Sequence, residues 1–149
     1  ARQIAKRAFD ILCSGILLLL ASPVMLLTML AIKLDSPGPI IYRQERIGLG
    51  GRGFMCLKFR SMRTDAEKDG VARWAAKNDA RVTRIGAFIR KTRIDELPQL
   101  FNVLRGDMSL VGPRPPIPYE ATKYQGWHLR RLLSVKPGMT GLLNLWIPP

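Results

Sequence analysis

The adjacent carboxylates Asp95 and Glu96 are the residues in this sequence best suited to chemistry. Three cations precede them, at Arg90, Lys91 and Arg93, and positive charge close to a carboxylate favours its ionised form. An ionised aspartate can attack phosphorus as a nucleophile. A neighbouring glutamate can hold Mg²⁺, which proteins usually bind through one or two carboxylates together with substrate phosphates. The pair therefore suggests phosphoryl chemistry with magnesium.

A structural interpretation explains the same two residues. Asp95 can be the N-cap of a helix that has Pro98 in its first turn, continues to Leu104 and ends before Gly106. Glu96 is then a first-turn acid, which the helix dipole favours. Residue types and spacing alone leave both interpretations open.

Scattered cations form a second group of candidate residues. Its members are Lys58, Arg60, Arg63, Arg90, Arg93 and Arg114. Arg114 lies between prolines in the sequence GPRP, and its planar guanidinium suits bidentate contact with phosphate. The same cations also suit an anionic lipid surface, at about 1 kcal/mol per residue. The sequence does not separate these two roles.

Composition limits the kind of protein. The chain has 149 residues, enough for one compact domain, and its formal net charge of +13 predicts an anionic partner. Hydrophobic residues make up 47% of it, which excludes a disordered basic tail. We expect no nucleic acid, because a nucleic-acid binder leaves a long uncharged segment without a role. Cys13 and Cys56 do not resemble a disulfide framework, so a reducing cytoplasmic face is expected.

That uncharged segment covers residues 11–32 and is long enough to cross a bilayer as a straight helix. Ser22 and Pro23 lie at its midpoint and predict a kink, with Ser22 bonding a carbonyl of the preceding turn. Cations flank both ends, and positive charge stays on the cytoplasmic side of a membrane. We therefore predict a re-entrant helix over residues 1–34. A straight transmembrane helix that tolerates its proline is the alternative.

The remaining patterns predict a mainly α fold with a small β-hairpin. Two β-prone segments flank the glycine-rich residues 49–53, as in a hairpin. An amphipathic segment at 81–91 suits either a membrane interface or core packing. Residues 111–118 are too rich in proline for a regular helix. Helices are predicted over 64–78 and 119–135, and a turn over 136–141.

Taken together, the motifs resemble the catalytic core of the bacterial monotopic polyprenyl-phosphate phosphoglycosyl transferases, the family of exopolysaccharide and O-antigen initiating enzymes. The matching stretches occur in family order and cover most of residues 6–141. They are KRAFDI, SPVMLL, GPIIYRQERIG, LKFRSMR, RIGAFIRKTRIDELPQLFNVLRGDMSLVGPRP and KPGMTG.

The resemblance implies a fold, a reaction and partners. The fold has a re-entrant membrane helix (1–34), kinked at Ser22-Pro23, and a cytoplasmic membrane-associated catalytic domain (35–149) with interfacial amphipathic helices. The reaction moves a sugar 1-phosphate from a UDP-sugar to polyprenyl (undecaprenyl) phosphate and releases UMP. The implied location is the cytoplasmic face of the inner membrane, where anionic lipid is a further partner. A homo-oligomer is compatible with the sequence.

The resemblance also assigns residues. Asp95 is the expected nucleophile, which forms a phosphosugar-aspartate intermediate, and Glu96 is the catalytic acid associated with Mg²⁺. Lys58, Arg90 and Arg114 correspond to cations expected near phosphates or near the carboxylate pair. After residue 141 the chain reads LLNLWIPP, where the family usually has a WQV-type segment, so a C-terminally short member is expected. A non-catalytic membrane-binding module of the same family is the alternative function.

Overall fold

The computed structural model describes residues 1–65, 78–124 and 126–140. They form a mainly helical structure with two small two-stranded sheets. The α-helices are α1 (Arg2–Asp35), α2 (Arg84–Thr92), α3 (Gln99–Arg105), α4 (Pro118–Ala121) and α5 (Gly126–Leu133). The strands are β1 (Ile41–Ile47), β2 (Gly53–Phe59), β3 (Ser109–Val111) and β4 (Gly138–Thr140). Short 3₁₀ turns cover Leu49–Gly51 and Ile94–Glu96.

Helix α1 contains the uncharged segment and is long and apolar enough, by length and composition, to cross a membrane. The helix continues through Pro23. Ser22 Oγ donates to Leu19 O at 2.8 Å, the predicted bond to the preceding turn. Large apolar side chains in the middle of α1 face outward, with Leu19 75% and Leu20 72% exposed. An apolar surface of this kind is typical of a helix that contacts lipid.

Both ends of α1 contact the rest of the fold. Near the N-terminus, Asp10 is buried and accepts a hydrogen bond from Ser109 Oγ at 2.7 Å. Near the C-terminus, Ile32 packs with Phe59 and Ile89 in the main hydrophobic cluster. Residues near both ends of α1 therefore lie against one folded unit.

The first sheet is the predicted β-hairpin. Strands β1 and β2 pair antiparallel, with Tyr42 opposite Lys58 and Arg46 opposite Phe54. The connection contains the 3₁₀ turn, where Gly50 has φ 67°, a backbone conformation that glycine adopts without steric cost. The prediction from the glycine-rich sequence is confirmed.

The second sheet was not predicted. Strands β3 and β4 pair in parallel, with Ser109 opposite Gly138, so the turn predicted over 136–141 is wrong for Gly138–Thr140. The backbones of these two segments pass so close that a Cβ on Gly138 would lie 2.0 Å from Gly112 N. Local sequence gave no signal for this pairing, because the two strands are far apart along the chain.

Two helix predictions need correction. The helix predicted over 119–135 is divided into α4 and α5, and α5 begins at Gly126, a residue that disfavours a helix interior. Helix α2 begins later than the predicted segment, because Val82 bridges to Met62 and Thr83 Oγ1 caps the helix by accepting from Gly86 N at 2.9 Å. Most of the helix predicted over 64–78, and the final residues 141–149, lie outside the described residues.

Candidate active site

A cavity of about 820 Å³ lies between the hairpin, α2, the 3₁₀ turn Ile94–Glu96 and the proline-rich loop, residues 112–117. It is lined by all five residues predicted for catalysis and phosphate binding: Lys58, Arg90, Asp95, Glu96 and Arg114. These residues come from four separate segments, so their meeting in one cavity is a result of the fold. We call Ile94–Glu96 the carboxylate turn.

Asp95 is 8% exposed, and its Oδ1 has no hydrogen-bond partner among the described residues. The carboxylate turn follows Arg93, which has a left-handed backbone with φ 63°. Buried polar atoms in proteins usually have a partner. Because Asp95 lines the cavity, a ligand bound there is a candidate partner for its carboxylate.

Of the two interpretations of Asp95, the one as a helix N-cap is wrong. Asp95 lies inside the carboxylate turn, and α3 begins only at Gln99, with Pro98 at the N-cap position. Pro98 has no N–H to donate to Ile94 O, and Leu97 N donates there instead at 3.1 Å. The chain therefore turns in the tighter 3₁₀ manner here, and the Asp95 side chain is not used as a cap.

Burial, and next the negative charge of Glu96, raise the pKa of Asp95 above its ordinary value. The cations Lys58, Arg90 and Arg93 act in the opposite direction. The cations alone predicted a lowered pKa for Asp95. The pKa is raised instead, because burial penalises the ionised form. A cation that enters the cavity would favour ionised Asp95.

Glu96 is held between two cations. Its Oε1 lies 3.9 Å from Lys58 Nζ and 3.7 Å from Arg93 Nη1. Burial lowers the pKa of Lys58, and Glu96 opposes this effect. Glu96 therefore favours the charged form of Lys58 within the cavity wall.

Arg90 reaches the cavity from the last turn of α2. Its Nε donates to Ser61 Oγ at 2.7 Å, just after β2. Helix α2 can come this close because of Gly86, where a Cβ would lie 1.9 Å from Ser61 O. The glycine therefore lets α2 bring Arg90 to the end of β2.

The proline-rich loop carries Arg114 and is fixed from two sides. From β1, Ile47 N donates to Pro116 O at 2.9 Å. From β4, Gly138 N donates to Pro113 O at 2.9 Å. Residues beside Arg114 are thus tied to both sheets.

The bacterial sugar transferase family model matches residues 1–146. The chain belongs to this family. The prediction drawn from the sequence motifs is confirmed.

Three relatives illustrate the similarity. A Bacillus subtilis (strain 168) protein is 58% identical over 126 residues, which are 84% of this chain and 70% of that protein; it is provisionally named an undecaprenyl-phosphate N-acetylgalactosaminyl 1-phosphate transferase. The UDP-N-acetylgalactosamine-undecaprenyl-phosphate N-acetylgalactosaminephosphotransferase of Aeromonas hydrophila is 57% identical over 110 residues, 74% of this chain and 26% of that protein. The UDP-glucose:undecaprenyl-phosphate glucose-1-phosphate transferase of Escherichia coli (strain K12) is 48% identical over 150 residues, 97% of this chain and 32% of that protein. The chain thus spans between 26% and 70% of the length of these relatives.

One cation of the candidate group has a structural role. Arg60 borders the cavity, but its guanidinium donates to the carbonyls of Ser36, Pro37 and Pro39 at 2.7 to 3.0 Å. It therefore fastens the turn that follows α1.

Sequence reasoning missed the contribution of β1. Tyr42, Gln44 and Arg46 alternate along one face of this strand and line the cavity beside Lys58. Alternation of polar residues within a predicted strand was the signal that could have found them.

Two carboxylates are available for a metal ion in the cavity wall. Asp95 and Glu96 are adjacent, and Asp95 Oδ1 is unpartnered among the described residues. Within the part of the chain that the structure describes, no group of three or more His, Cys, Asp or Glu side chains is arranged to hold a metal. The donor set fits a hard cation that completes its coordination with water and substrate oxygens.

Proposed function

We propose that this chain transfers a sugar 1-phosphate from a UDP-sugar to polyprenyl phosphate, releases UMP, and so initiates assembly of a glycoconjugate or polysaccharide. The observation that carries the proposal is the unpartnered, buried carboxylate of Asp95 in a cavity lined by seven cations: Arg46, Lys58, Arg60, Arg63, Arg90, Arg93 and Arg114. The names of the relatives give support, since they describe undecaprenyl phosphate as acceptor and either glucose or N-acetylgalactosamine as the sugar.

The reaction has two steps. A carboxylate oxygen of Asp95 attacks the β-phosphorus of the UDP-sugar, and the bond from that phosphorus to the bridging oxygen breaks. The bridging oxygen leaves with UMP, and the sugar phosphate remains on Asp95. A phosphate oxygen of polyprenyl phosphate then attacks the same phosphorus and frees the aspartate. The raised pKa of Asp95 supports this role, because a more basic carboxylate is a better nucleophile once it is ionised.

The cavity cations have distinct tasks in this proposal. Lys58 and Arg90 stabilise the negative charge that develops on the phosphoryl oxygens, and Lys58 keeps Glu96 in position through their 3.9 Å contact. Arg114 binds phosphate from the proline-rich loop. Its loop is tied to two sheets, so little positional freedom is lost when substrate binds.

Magnesium is part of the proposal. Glu96, with Asp95 beside it, would hold the ion, which supplies charge neutralisation for the substrate phosphates. The unpartnered Asp95 Oδ1 supports this assignment.

The proposed membrane geometry is re-entrant, on the cytoplasmic face of the inner membrane. Asp10 and Ile32 are 22 residues apart, about 33 Å in a straight helix, which is roughly the thickness of the hydrocarbon core. Yet both contact the same folded unit, whose basic surface does not belong in hydrocarbon. A helix that enters at one face, bends at Ser22-Pro23 and returns to that face satisfies both contacts.

Helices α2 and α3 are proposed to lie in the membrane interface. Phe88 on α2 is 58% exposed and Phe101 on α3 is 47% exposed. Exposed cations accompany them, with Lys91 on α2 and Arg105 on α3. Apolar side chains flanked by cations suit the boundary between acyl chains and anionic head groups. There the cavity can meet both a soluble nucleotide sugar and a lipid phosphate.

The test of the reaction uses the chain with Mg²⁺ and UDP-sugars labelled in the sugar. Each UDP-sugar is offered with and without polyprenyl phosphate. UMP release and label retained on the protein at Asp95 are expected, and D95N should show neither. E45Q serves as a control that removes an exposed carboxylate outside the cavity. Equal behaviour of wild type and D95N with every sugar would support the non-catalytic membrane-binding module instead.

The test of the topology uses single cysteines at positions 3 and 36 in a background without Cys13 and Cys56. A membrane-impermeant reagent should label both positions from the cytoplasmic side. Labelling from opposite sides would contradict re-entry and leave the reaction proposal intact.

A further inference from the structure

A buried arginine on β1 has no role in the chemistry described so far. Arg46 is 6% exposed and lines the cavity together with Gln44 and Tyr42. Arginine is seldom this buried without a paired charge or a bound anion. Within the described residues Arg46 has no salt bridge to a carboxylate, so its burial needs another explanation.

The hydrogen bonds of Arg46 leave part of its guanidinium unused. Nε and Nη2 donate to Gln44 Oε1 at 3.1 and 2.7 Å, and Nη1 donates to Pro115 O at 2.9 Å. The guanidinium has five N–H donors. One N–H on Nη1 and one on Nη2 therefore have no acceptor among the described residues. Gln44 and Pro115 fix the plane of the group, so these two N–H groups are held in a defined orientation.

The charges around Arg46 favour an anion. Burial, and next the positive charge of Arg114, lower the pKa of Arg46, and the carboxylate of Glu120 is among the groups that oppose this. Like charges on neighbouring residues of a cavity wall repel each other, and an anion that binds to both relieves this repulsion. The cavity has seven cationic and three acidic lining residues, so its charge remains positive after the carboxylates are counted.

The register of the hairpin places Arg46 away from the cations that surround Asp95. Lys58, which contacts Glu96, is opposite Tyr42, and Arg46 lies four residues further along the same face of β1. Four residues correspond to about 13 Å between Cα atoms along a strand. The cavity thus has one group of cations around Asp95 and another at Arg46 and Arg114. A diphosphate fits this division, because one of its phosphates is transferred to Asp95 in the proposed reaction and the other leaves with the nucleoside.

We propose that Arg46 and Arg114 together bind the phosphate that departs with the nucleoside. This inference rests on the proposed function and adds to it a position for the leaving group. When the bond between the β-phosphorus and the bridging oxygen breaks, the electron pair stays on that oxygen, which departs as part of a nucleoside monophosphate. The two oriented N–H groups of Arg46 contact the phosphate that gains this charge.

The experiment measures equilibrium binding of UMP, uridine and inorganic pyrophosphate to the full chain in detergent or nanodiscs. Because a hydrogen bond to a charged group is lost, R46Q should bind UMP and pyrophosphate on the order of 10- to 100-fold more weakly. Uridine has no phosphate, so its affinity for R46Q should equal its affinity for the wild-type protein. R46K, which keeps the charge but loses the planar fork, should lie between the two. The matched control is R43Q, on the exposed opposite face of β1, and it should bind as wild type does.

A second comparison separates direct contact from support of the proline-rich loop, which Arg46 also provides through Pro115. In an R114Q background, R46Q should still weaken pyrophosphate binding. If the effect of R46Q vanishes in that background, Arg46 acts only through Arg114 and the inference is overturned. R46K supplies the same comparison if R46Q does not fold.

The outcomes also separate this inference from the reaction. UMP release by R46Q, with unchanged UMP and pyrophosphate affinities, would overturn the leaving-group position alone. Pyrophosphate binding that depends on Arg46, in a chain that releases no UMP from any UDP-sugar, would overturn the proposed reaction while the anion site stands.

Discussion

Lys58 Nζ lies 3.9 Å from Glu96 Oε1, and this contact joins the hairpin to the carboxylate turn. Asn102 of α3, the helix that follows the carboxylate turn, is fully buried and bonds to the hairpin. Asn102 Oδ1 accepts from Leu57 N at 3.0 Å, and its Nδ2 donates to Met55 O at 2.8 Å. One side chain thus joins β2, which carries Lys58, to α3, and α3 follows the carboxylate turn after Leu97 and Pro98.

The first prediction concerns Asn102. N102A should leave a part-buried N–H and a part-buried carbonyl of β2 without their partner, at a cost of up to about 1–3 kcal/mol for each group. We expect thermal unfolding in detergent to occur at a clearly lower temperature. UMP release should fall further than the loss of folded protein explains, because Lys58 is no longer held beside Glu96. Unchanged turnover per folded molecule would contradict the positioning role.

The second prediction concerns the stability cost of Asp95. Its pKa is raised in the folded protein, so the folded state binds the proton more tightly than the unfolded state. Stability is therefore lost as pH rises from the unfolded pKa, about 3.9, through the raised folded value. D95N removes this cost and should be more stable than wild type at pH 7, by about 0.5–2 kcal/mol.

The measurement for Asp95 is the unfolding midpoint of wild type and D95N between pH 4 and pH 7.5. The difference between the two midpoints should become smaller toward pH 4, where Asp95 becomes protonated. E45Q, which changes an exposed carboxylate on the hairpin, should show no such gap. A gap between D95N and wild type that is independent of pH would count against burial of an ionisable group as its cause.

The third prediction concerns Glu96 and magnesium. E96Q should need at least about tenfold more Mg²⁺ for half-maximal UMP release, because even outer partners of a metal site change metal affinity by 10- to 100-fold. Manganese binding, followed by its paramagnetic resonance signal in the absence of substrate, should weaken in parallel. If E96Q needs the same Mg²⁺ concentration as wild type, Glu96 is not the metal ligand and acts only as the partner of Lys58.

The fourth prediction concerns the unexpected parallel sheet. G138A should push β4 away from β3, because the new Cβ would lie 2.0 Å from Gly112 N. The loop that carries Arg114 should shift with it, and a displacement of about 1 Å can cost on the order of 10²-fold in rate. G126A is the matched control, since a Cβ there meets nothing within 4 Å. Equal rates for the two variants would contradict the role of β4 in positioning the loop.

Local patterns were sufficient for part of this structure. The alternation and the glycines of the hairpin, and the end of α3 at Gly106 with φ 98°, follow from interactions between near neighbours in sequence. The carboxylates and cations of the site were identifiable by residue type, and the family motifs supplied their grouping.

The rest depends on contacts between distant segments. The pairing of β3 with β4 joins Ser109 to Gly138, and neither strand has enough residues to show a period. Asp95 was a candidate cap because its type favours that position, but the missing N–H of Pro98 moved the start of α3. The burial of Arg46 arises from the packing of the proline-rich loop on β1, which residue types alone do not encode.

The last prediction concerns Pro23. P23L restores a backbone donor to the middle of α1 and should favour a straight helix. A straight helix would carry Asp10 and Ile32 to opposite sides of the bilayer, yet both contact the same folded unit in the native fold. One of these contacts must then break, so the cavity loses its position relative to the lipid phosphate. We expect cysteines at positions 3 and 36 to become labelled from opposite sides. Transfer to polyprenyl phosphate should fall more than UMP release, since only the second step needs the membrane-bound acceptor. Same-side labelling with full transfer would show that the return of the helix does not depend on this proline.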